Sequence, residues 1–191
     1  ALGWVSAGAA VSRAGAQVGD LVFVTGAIGD GFLGLRAARG ELSLDEVRLA
    51  ALIDRYRTPT PRLDFAQAIR EFATASVDVS DGLAADLGHI AHVSGVGVTL
   101  NLNVLPLSAA AQAWFDDRVD AQLSLEDLAS GGDDYEIAFT ARPRHEEALR
   151  REAEKRLVRL TRIGDVTSGA GLTAIHDGRP IEMRRRGWTH G

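Results

Sequence analysis

Two carboxylates and a hydroxyl follow one another closely in the segment SVDVSDGL, residues 76–83. Asp78, Ser80 and Asp81 stand where a short buried strand is predicted to end and a helix to begin. Magnesium prefers oxygen ligands and usually binds one or two carboxylates together with substrate phosphate oxygens. Helix-start amides and the Ser80 hydroxyl can donate hydrogen bonds to phosphate, and Gly82 permits close approach. The segment therefore indicates a magnesium–phosphate site, although a helix capped by Ser80 or Asp81 with Asp78 in solvent would give the same pattern.

A second group of acidic side chains follows a diglycine turn in the segment SGGDDYE, residues 130–136. Such a turn can bring the backbone against a ligand. Asp133 or Asp134 can then bind a cationic or hydroxyl-bearing substrate, or hold water around magnesium. A turn whose polar residues are simply solvated explains the pattern equally well. The residues alone leave both interpretations open.

Three other motifs carry weaker signals. The glycine-rich turn GAIGDG, residues 26–31, lacks the lysine and spacing of a P-loop and does not match a dinucleotide fingerprint, so we interpret it as structural. His89 and His92 lie three apart on a predicted helix, but the sequence offers no evident third ligand, which favours helix surface or core packing over a metal site. Trp188 can stack on a flat ring or pack against the domain.

The composition excludes several classes of function. The chain has 191 residues, 46% of them hydrophobic, a net charge of −5 and no cysteine, which excludes disulfides, thiolate metal sites and thiol catalysis. The acidic balance argues against nucleic acid as a partner, and the arginines at 184–186 indicate solvated surface or local steering of an anion. No apolar stretch approaches the roughly 20 residues that span a bilayer, and the start lacks a signal peptide. We therefore expect a cytoplasmic protein without a membrane partner.

Helices and strands alternate along the chain. Strands are predicted at 21–25, 75–79, 96–102, 135–140, 158–163 and 172–175, with a hairpin turn at Asp177 and Gly178. Helices are predicted from the GDG stretch to Ala38, from a capping box at Ser43 and Glu46 to Thr58, at 62–73, from Ser80 to about Val93, around 113–115, at 125–129 and at 144–156. The strand-rich end suggests hairpins, so we expect one α+β domain with helices covering a mixed, largely antiparallel sheet.

Short motifs spread along the chain resemble, in their order, the thiamine-monophosphate kinase family. They are DVSDGL at 78–83 followed by AADLGHI at 84–90, RAGA at 13–16 with GD at 19–20, VTG at 24–26 with GD at 29–30, PTPR at 59–62, LPLS at 105–108, GGDDYE at 131–136, RIG at 162–164 and GW at 187–188. Each motif alone is modest evidence for the resemblance, but together the motifs cover nearly the whole chain. The combination is highly specific for that family.

The resemblance implies transfer of the terminal phosphate of ATP to thiamine monophosphate, with magnesium, by direct attack of the substrate phosphate and without a covalent phosphoenzyme. It assigns Asp78 and Asp81 to magnesium, Ser80 and Arg13 to ATP, and Asp133 and Trp188 to thiamine monophosphate. Catalysis would then be positioning and charge neutralisation. Asp133 departs from the family pattern, in which glutamate is common. The shorter acid keeps the charge but reaches one methylene less far, which puts direct substrate contact in doubt.

The resemblance also implies a two-domain kinase of the aminoimidazole ribonucleotide synthetase-like superfamily. We expect residues 1–191 to be its single carboxyl-terminal domain. The amino-terminal domain would supply further magnesium ligands, part of the nucleotide site and the main homodimer surface. Without it, the chain is expected to be weak or inactive. Two alternatives stay open, namely a non-catalytic nucleotide-binding or assembly module and another ATP-dependent synthetase of the same superfamily.

Overall fold

A central strand, β1 (Leu21–Thr25), organises the fold. The computed structural model describes residues 5, 7–8, 10–185 and 187. Every residue of β1 is buried, and successive side chains of a strand point to opposite faces of the sheet. Leu21 and Phe23 pack into the core on one face, whereas Val22 and Val24 pack into the core on the other. The continuous apolar run of β1 therefore reflects a sheet that is covered on both faces.

Six further strands join β1 in one sheet within the described residues. They are β2 (Ala73–Asp78), β3 (Gly97–Asn101), β4 (Ile137–Ala141), β5 (Leu160–Thr167), β6 (Gly171–His176) and β7 (Arg179–Ile181). The strand order is β2-β4-β1-β5-β3-β6-β7. β3 and β6 run parallel, and the other neighbouring pairs of this described sheet are antiparallel. The mixed, largely antiparallel sheet predicted from the sequence is confirmed.

Helices cover both faces of this sheet. They are α1 (Asp30–Ala38), α2 (Glu46–Arg57), α3 (Ala66–Phe72), α4 (Leu83–Ser94), α5 (Ala109–Asp116), α6 (Ala121–Ser130) and α7 (Glu146–Lys155). The larger core joins α1, α2, α4, α5 and α6, and the smaller joins α3 and α7 around the stacked rings of Phe23 and Phe139, whose centroids lie 5.5 Å apart. Among the described residues, no helix has the length and apolar character needed to cross a membrane.

Local chemistry decides where several elements begin and end. The predicted capping box was wrong, because Asp45 rather than Ser43 caps α2 by accepting a hydrogen bond from the Arg48 backbone N–H at 3.0 Å. Ala73, predicted in a helix, belongs to β2. The predicted hairpin is confirmed, since Asp177 and Gly178 join β6 to β7 with φ values of 48° and 71°. Short 3₁₀ turns complete the chain at Leu63–Phe65, Leu102–Val104 and Pro143–His145.

Candidate active site

Asp78 ends β2 with an exposed carboxylate. Its side chain is 60% exposed, and the Arg13 guanidinium lies 3.9 Å from its Oδ1 atom. At such exposure this ion pair adds little to stability. The pair instead places a cation-binding group beside an anion-binding group at the end of a strand, which is the combination that a metal–nucleotide complex requires.

The chain passes from β2 to α4 through Gly82 rather than through a side-chain cap. α4 begins at Leu83, and Gly82 precedes it with a φ of 118° and without a capping side-chain hydrogen bond in the described structure. The simpler interpretation, in which Ser80 or Asp81 caps this helix, was therefore wrong. Gly82 is required here, because a Cβ atom would lie 2.6 Å from the Ser130 carbonyl oxygen.

The loop is held in place by Asp86, a buried carboxylate that was not among the site residues predicted from the sequence. Asp86, in the first turn of α4, is 1% exposed and accepts hydrogen bonds from the backbone N–H groups of Ser80 at 3.0 Å and Asp81 at 3.2 Å. Burial raises the pKa of Asp86, the two amides lower it, and the neighbouring carboxylates of Asp81 and Asp78 raise it again. Asp81 and Asp78 thus both disfavour the charged form of Asp86, and a divalent cation beside Asp81 and Asp86 would offset that repulsion.

His89 lies beside two of these carboxylates. Ligand atoms of Asp81, Asp86 and His89 all lie within 4.8 Å of one another. His89 and His92 are both exposed on α4, so the helix-surface interpretation is confirmed, whereas the expectation that no further ligand lies near was wrong for His89. Magnesium prefers oxygen to imidazole nitrogen, so the carboxylates are the donors that fit it. The spacing of Asp86 and His89, three residues apart on one helix, is the sequence signal that could have revealed Asp86 but was not used.

The second acidic segment lies directly against this loop. The backbone N–H of Asp133 donates to the Ser80 carbonyl at 2.9 Å, and that of Tyr135 donates to the Val79 carbonyl at 2.8 Å. The Val79 N–H donates in turn to the Glu136 carbonyl at 2.8 Å. These bonds continue the antiparallel pairing of β2 with β4 beyond the strand ends. Both segments singled out in the sequence therefore meet at one surface.

The side chain of Asp134 stabilises the fold and is not exposed to a ligand. It is fully buried, and its two carboxylate oxygens accept hydrogen bonds from the backbone N–H groups of Gly29 at 2.8 Å and Gly31 at 2.9 Å. Burial raises the pKa of Asp134 to about 8, against the lowering effect of those two amides. These hydrogen bonds give the glycine-rich turn the structural role predicted for it, and its Gly31 also lines the cavity described below. Of the two aspartates considered as substrate ligands, Asp133 is the one that lines a cavity.

Glu136 is also held inside the fold. Its carboxylate is fully buried and accepts hydrogen bonds from Arg62 at 2.5 and 2.6 Å, from Arg55 at 2.8 Å and from the Thr25 hydroxyl at 2.7 Å. The hydrogen bond to Glu136 raises the pKa of Arg62 above its ordinary value. This network ties α2 and the turn before α3 to the ends of β1 and β4. It fixes the base of the acidic segment.

A cavity of about 500 Å³ lies between α1 and the two segments. Its lining combines apolar, cationic and acidic groups, namely Gly31, Phe32, Leu35, Arg36, Arg39, Glu41, Ser80, Asp81, Ser130, Gly131, Gly132, Asp133, Arg185 and Gly187. Asp133 and Tyr135 have left-handed backbone φ values of 66° and 49°, and the Tyr135 hydroxyl donates to the Asp133 carboxylate at 3.1 Å. The cavity has the size and chemistry to hold a small molecule with a flat ring and a charged group.

Comparison with known proteins identifies the fold. Residues 17–177 match the family model described as AIR synthase related protein, C-terminal domain. The chain belongs to this family. The fold class predicted from the sequence, an AIR synthetase C-terminal-domain-like fold, is thereby confirmed.

Relatives of this AIR synthase related domain carry one recurring name. The thiamine-monophosphate kinase of Caulobacter vibrioides is 44% identical over 190 residues, which are 100% of this chain and 53% of the relative. The crystal structure of thiamine-monophosphate kinase from Stenotrophomonas maltophilia K279a is 37% identical with a TM-score of 0.81, covering 93% of this chain and 56% of that one. AaThiL complexed with AMPPCP and TMP is 34% identical with a TM-score of 0.76, covering 95% and 54%. The resemblance is confirmed, and the chain spans about half the length of these relatives.

The AIR synthase related domain brings three of the predicted site residues to one cavity, whose lining includes Ser80, Asp81 and Asp133. Asp78 at the end of β2 pairs with Arg13, and neither residue belongs to the cavity lining or to the Asp81–Asp86–His89 group. Trp188 falls outside the described residues. The individual assignments of these side chains to magnesium, ATP and thiamine monophosphate stay predictions.

Proposed function

We propose that this domain is part of an ATP-dependent thiamine-monophosphate kinase, which transfers the terminal phosphate of ATP to thiamine monophosphate and forms thiamine diphosphate. The observation that carries the proposal is the position of Asp81, which belongs both to the cluster of carboxylates and to the lining of the cavity. A metal–phosphate site and a small-molecule site thus share one loop. The relatives named thiamine-monophosphate kinase, and AaThiL complexed with AMPPCP, an ATP analogue, and TMP, support the assignment.

Magnesium is the cofactor we propose for the carboxylates at the end of β2 and in the loop that follows it. Asp78 and Asp81 would hold it, while Asp86 orients the loop through the backbone N–H groups of Ser80 and Asp81. Bound magnesium would neutralise charge on the phosphate oxygens during transfer. Arg13, next to Asp78, would contact the ATP phosphates, and Ser80 would contribute a further ATP contact.

The cavity would hold the acceptor, thiamine monophosphate. The thiazolium ring of thiamine is cationic, and the Asp133 carboxylate offers it a counter-charge that the Tyr135 hydroxyl orients. Phe32 and Leu35 supply apolar surface for the rings, and Trp188 would stack on one of them. The acceptor phosphate is already an anionic nucleophile at neutral pH. The protein therefore has to align it with ATP rather than activate it, and no side chain forms a covalent intermediate.

We further propose that an amino-terminal domain completes the site in a cytoplasmic homodimer. The side chains of Asp78 and Arg13 are more than half exposed and lie outside the cavity lining, so a nucleotide bound over this ion pair would need cover from another part of the protein. The relatives extend over about twice the length of this chain, which leaves room for such a domain. The net charge of −5 gives no support for a nucleic-acid partner, and we propose no membrane partner either.

The test is the conversion of thiamine monophosphate to thiamine diphosphate with magnesium and ATP. A family-type amino-terminal domain is joined to this chain, and the product is measured beside the isolated chain and an Asp78→Asn variant. We expect product from the joined wild-type protein and none from the isolated chain, with the Asp78→Asn rate in the joined protein lower by at least about a hundred-fold, the scale of losing a metal ligand or its support. Asp117→Asn, an exposed carboxylate after α5 that does not line the cavity, is the matched control and should keep its rate.

Two experimental outcomes would contradict the proposed function. A folded protein that binds magnesium and ATP but gives no product would favour a non-catalytic nucleotide-binding or assembly module. Turnover of ATP with a different acceptor in a substrate panel would favour another synthetase of the superfamily. Full activity of Asp78→Asn would remove that residue from the magnesium site.

A further inference from the structure

Glu126 is a buried carboxylate that the proposed chemistry does not use. It lies on α6, its side chain is 3% exposed, and it accepts a hydrogen bond from the Gln122 amide at 2.9 Å. It also accepts one from the Arg184 backbone N–H at 3.2 Å, and the Arg184 Nε atom lies 3.8 Å away. Burying a carboxylate is costly unless it is paired. Here a residue 58 positions further along the chain supplies both a hydrogen bond and a positive charge.

The segment that partners Glu126 also borders the cavity. We name residues 182–185 together with Gly187 the C-terminal strap. The Ser130 hydroxyl donates to the Arg185 carbonyl at 2.7 Å, and both Arg185 and Gly187 line the cavity. A Cβ atom on Gly187 would lie 2.6 Å from the Asp81 carbonyl oxygen. The strap therefore runs from α6 across to the loop that carries Asp81.

We propose that Glu126 is a positioning residue that anchors the C-terminal strap to α6 and so sets the shape of the acceptor cavity. The strap forms one wall of that cavity, and the wall is held by side chains of α6. The identity of the acceptor rests on the proposed function, whereas the anchoring does not.

The anchoring is tested by hydrogen exchange on the 191-residue chain. Glu126→Ala should speed exchange of the strap amides by about ten-fold or more, because a hydrogen bond to a charged, buried acceptor is lost. Glu126→Gln, which keeps one acceptor oxygen, should give an intermediate effect. Asp127→Asn is the matched control on the same helix. Its carboxylate is 37% exposed and lies 3.5 and 3.9 Å from the guanidinium groups of Arg184 and Arg185, so its loss should change strap exchange less than about two-fold.

The effect on the cavity is tested in the joined kinase. Glu126→Ala should raise the KM for thiamine monophosphate about ten-fold while the KM for ATP stays within about two-fold, because only the acceptor wall has moved. Ser130→Ala removes the other hydrogen bond from α6 to the strap, which the Ser130 hydroxyl donates to the Arg185 carbonyl at 2.7 Å, and should give the same split without disturbing Glu126. This second variant keeps the test informative if Glu126→Ala unfolds.

Each result decides a different part of the proposal. Strap exchange in folded Glu126→Ala that equals the wild type overturns the anchoring. Faster exchange with both KM values unchanged, or raised together, overturns the role in shaping the acceptor cavity. If the wild-type kinase gives no product from thiamine monophosphate, the proposed function fails, and the exchange measurement still decides whether Glu126 holds the strap.

Discussion

Replacing Glu136 by glutamine should lower the free energy of unfolding by about 3 kcal/mol, because it removes the buried counter-ion of two guanidinium groups. The fully buried carboxylate accepts hydrogen bonds from Arg62, Arg55 and the Thr25 hydroxyl at 2.5 to 2.8 Å. Arg62 keeps its charge in the variant, since an arginine side chain is protonated throughout the accessible pH range. Two cations would then face a neutral amide.

The magnitude follows from which of those bonds glutamine can keep. Its carbonyl oxygen still accepts, but its NH₂ group presents hydrogens to donors on the other side. Two charge-assisted bonds are lost, and each contributes about 1.5 kcal/mol at the lower end of the range for charged partners. The lower end applies because the side chains of Arg55 and Arg62 are 17% and 20% exposed, so water compensates in part. The sum is about 3 kcal/mol.

Urea unfolding at pH 7 measures this loss by linear extrapolation, provided that the m-value stays constant. The matched control is Glu147→Gln on α7, which breaks an exposed ion pair with Arg151 at 2.8 Å and should leave the midpoint unchanged. A loss below about 1 kcal/mol for Glu136→Gln would mean that the buried network contributes no more than a surface pair. The reasoning about its charge would then be refuted.

Three other changes test the surroundings of the site. Burial raises the pKa of Asp134 from 3.8 to about 8, so between these pH values the folded chain keeps a proton that the unfolded chain releases. The free energy of unfolding should therefore fall as pH rises through this window, by at most about 1.4 kcal/mol per pH unit. Asp134→Asn should flatten that dependence in urea midpoints at pH 5, 6.5 and 8, and an unchanged slope contradicts the assignment. Gly31→Ala places a Cβ atom 2.5 Å from the Asp133 carbonyl and should lower the free energy of unfolding in urea by about 1–3 kcal/mol. A variant as stable as the wild type would show that α1 can shift to relieve this contact. Gly88→Ala in α4 meets nothing within 4 Å and should add about 0.5–1 kcal/mol in the same assay, so a loss there would point to an unrecognised constraint.

The elements that the sequence predicted well are those in which local signals agree. β1 combines β-branched and aromatic residues with a bounding Thr–Gly turn, and its limits match the predicted 21–25. α1 ends at Ala38 as expected. The cap of α2 was missed because Ser43 and Asp45 are both good capping residues, and only the backbone path decides between them.

The site could be predicted in its parts but not in its geometry. Asp78, Ser80 and Asp81 are neighbours in sequence, whereas the contact of Asp133 with Ser80 depends on the pairing of β2 with β4. Every residue from 133 to 136 is polar or aromatic, so no hydrophobic alternation reveals which of them are buried. The burial of Glu126 could not be predicted from the sequence for a related reason. An acidic residue on a helix ordinarily indicates an exposed face, and its partner lies 58 residues away.

The alternation of side chains along residues 133–136 has a consequence for redesigning the cavity that Asp133 lines. The side chains of Asp134 and Glu136 are committed to the interior, while Asp133 and Tyr135 face outward from the same short stretch. A substitution library at 133 and 135 therefore leaves the buried hydrogen bonds of Asp134 and Glu136 in place, whereas one that includes 134 or 136 would remove them and lower the stability. Because the backbone is left-handed at both 133 and 135, asparagine, aspartate and glycine are the residue types best tolerated there. New specificity would then come more readily from the facing surface of α1 than from the loop itself.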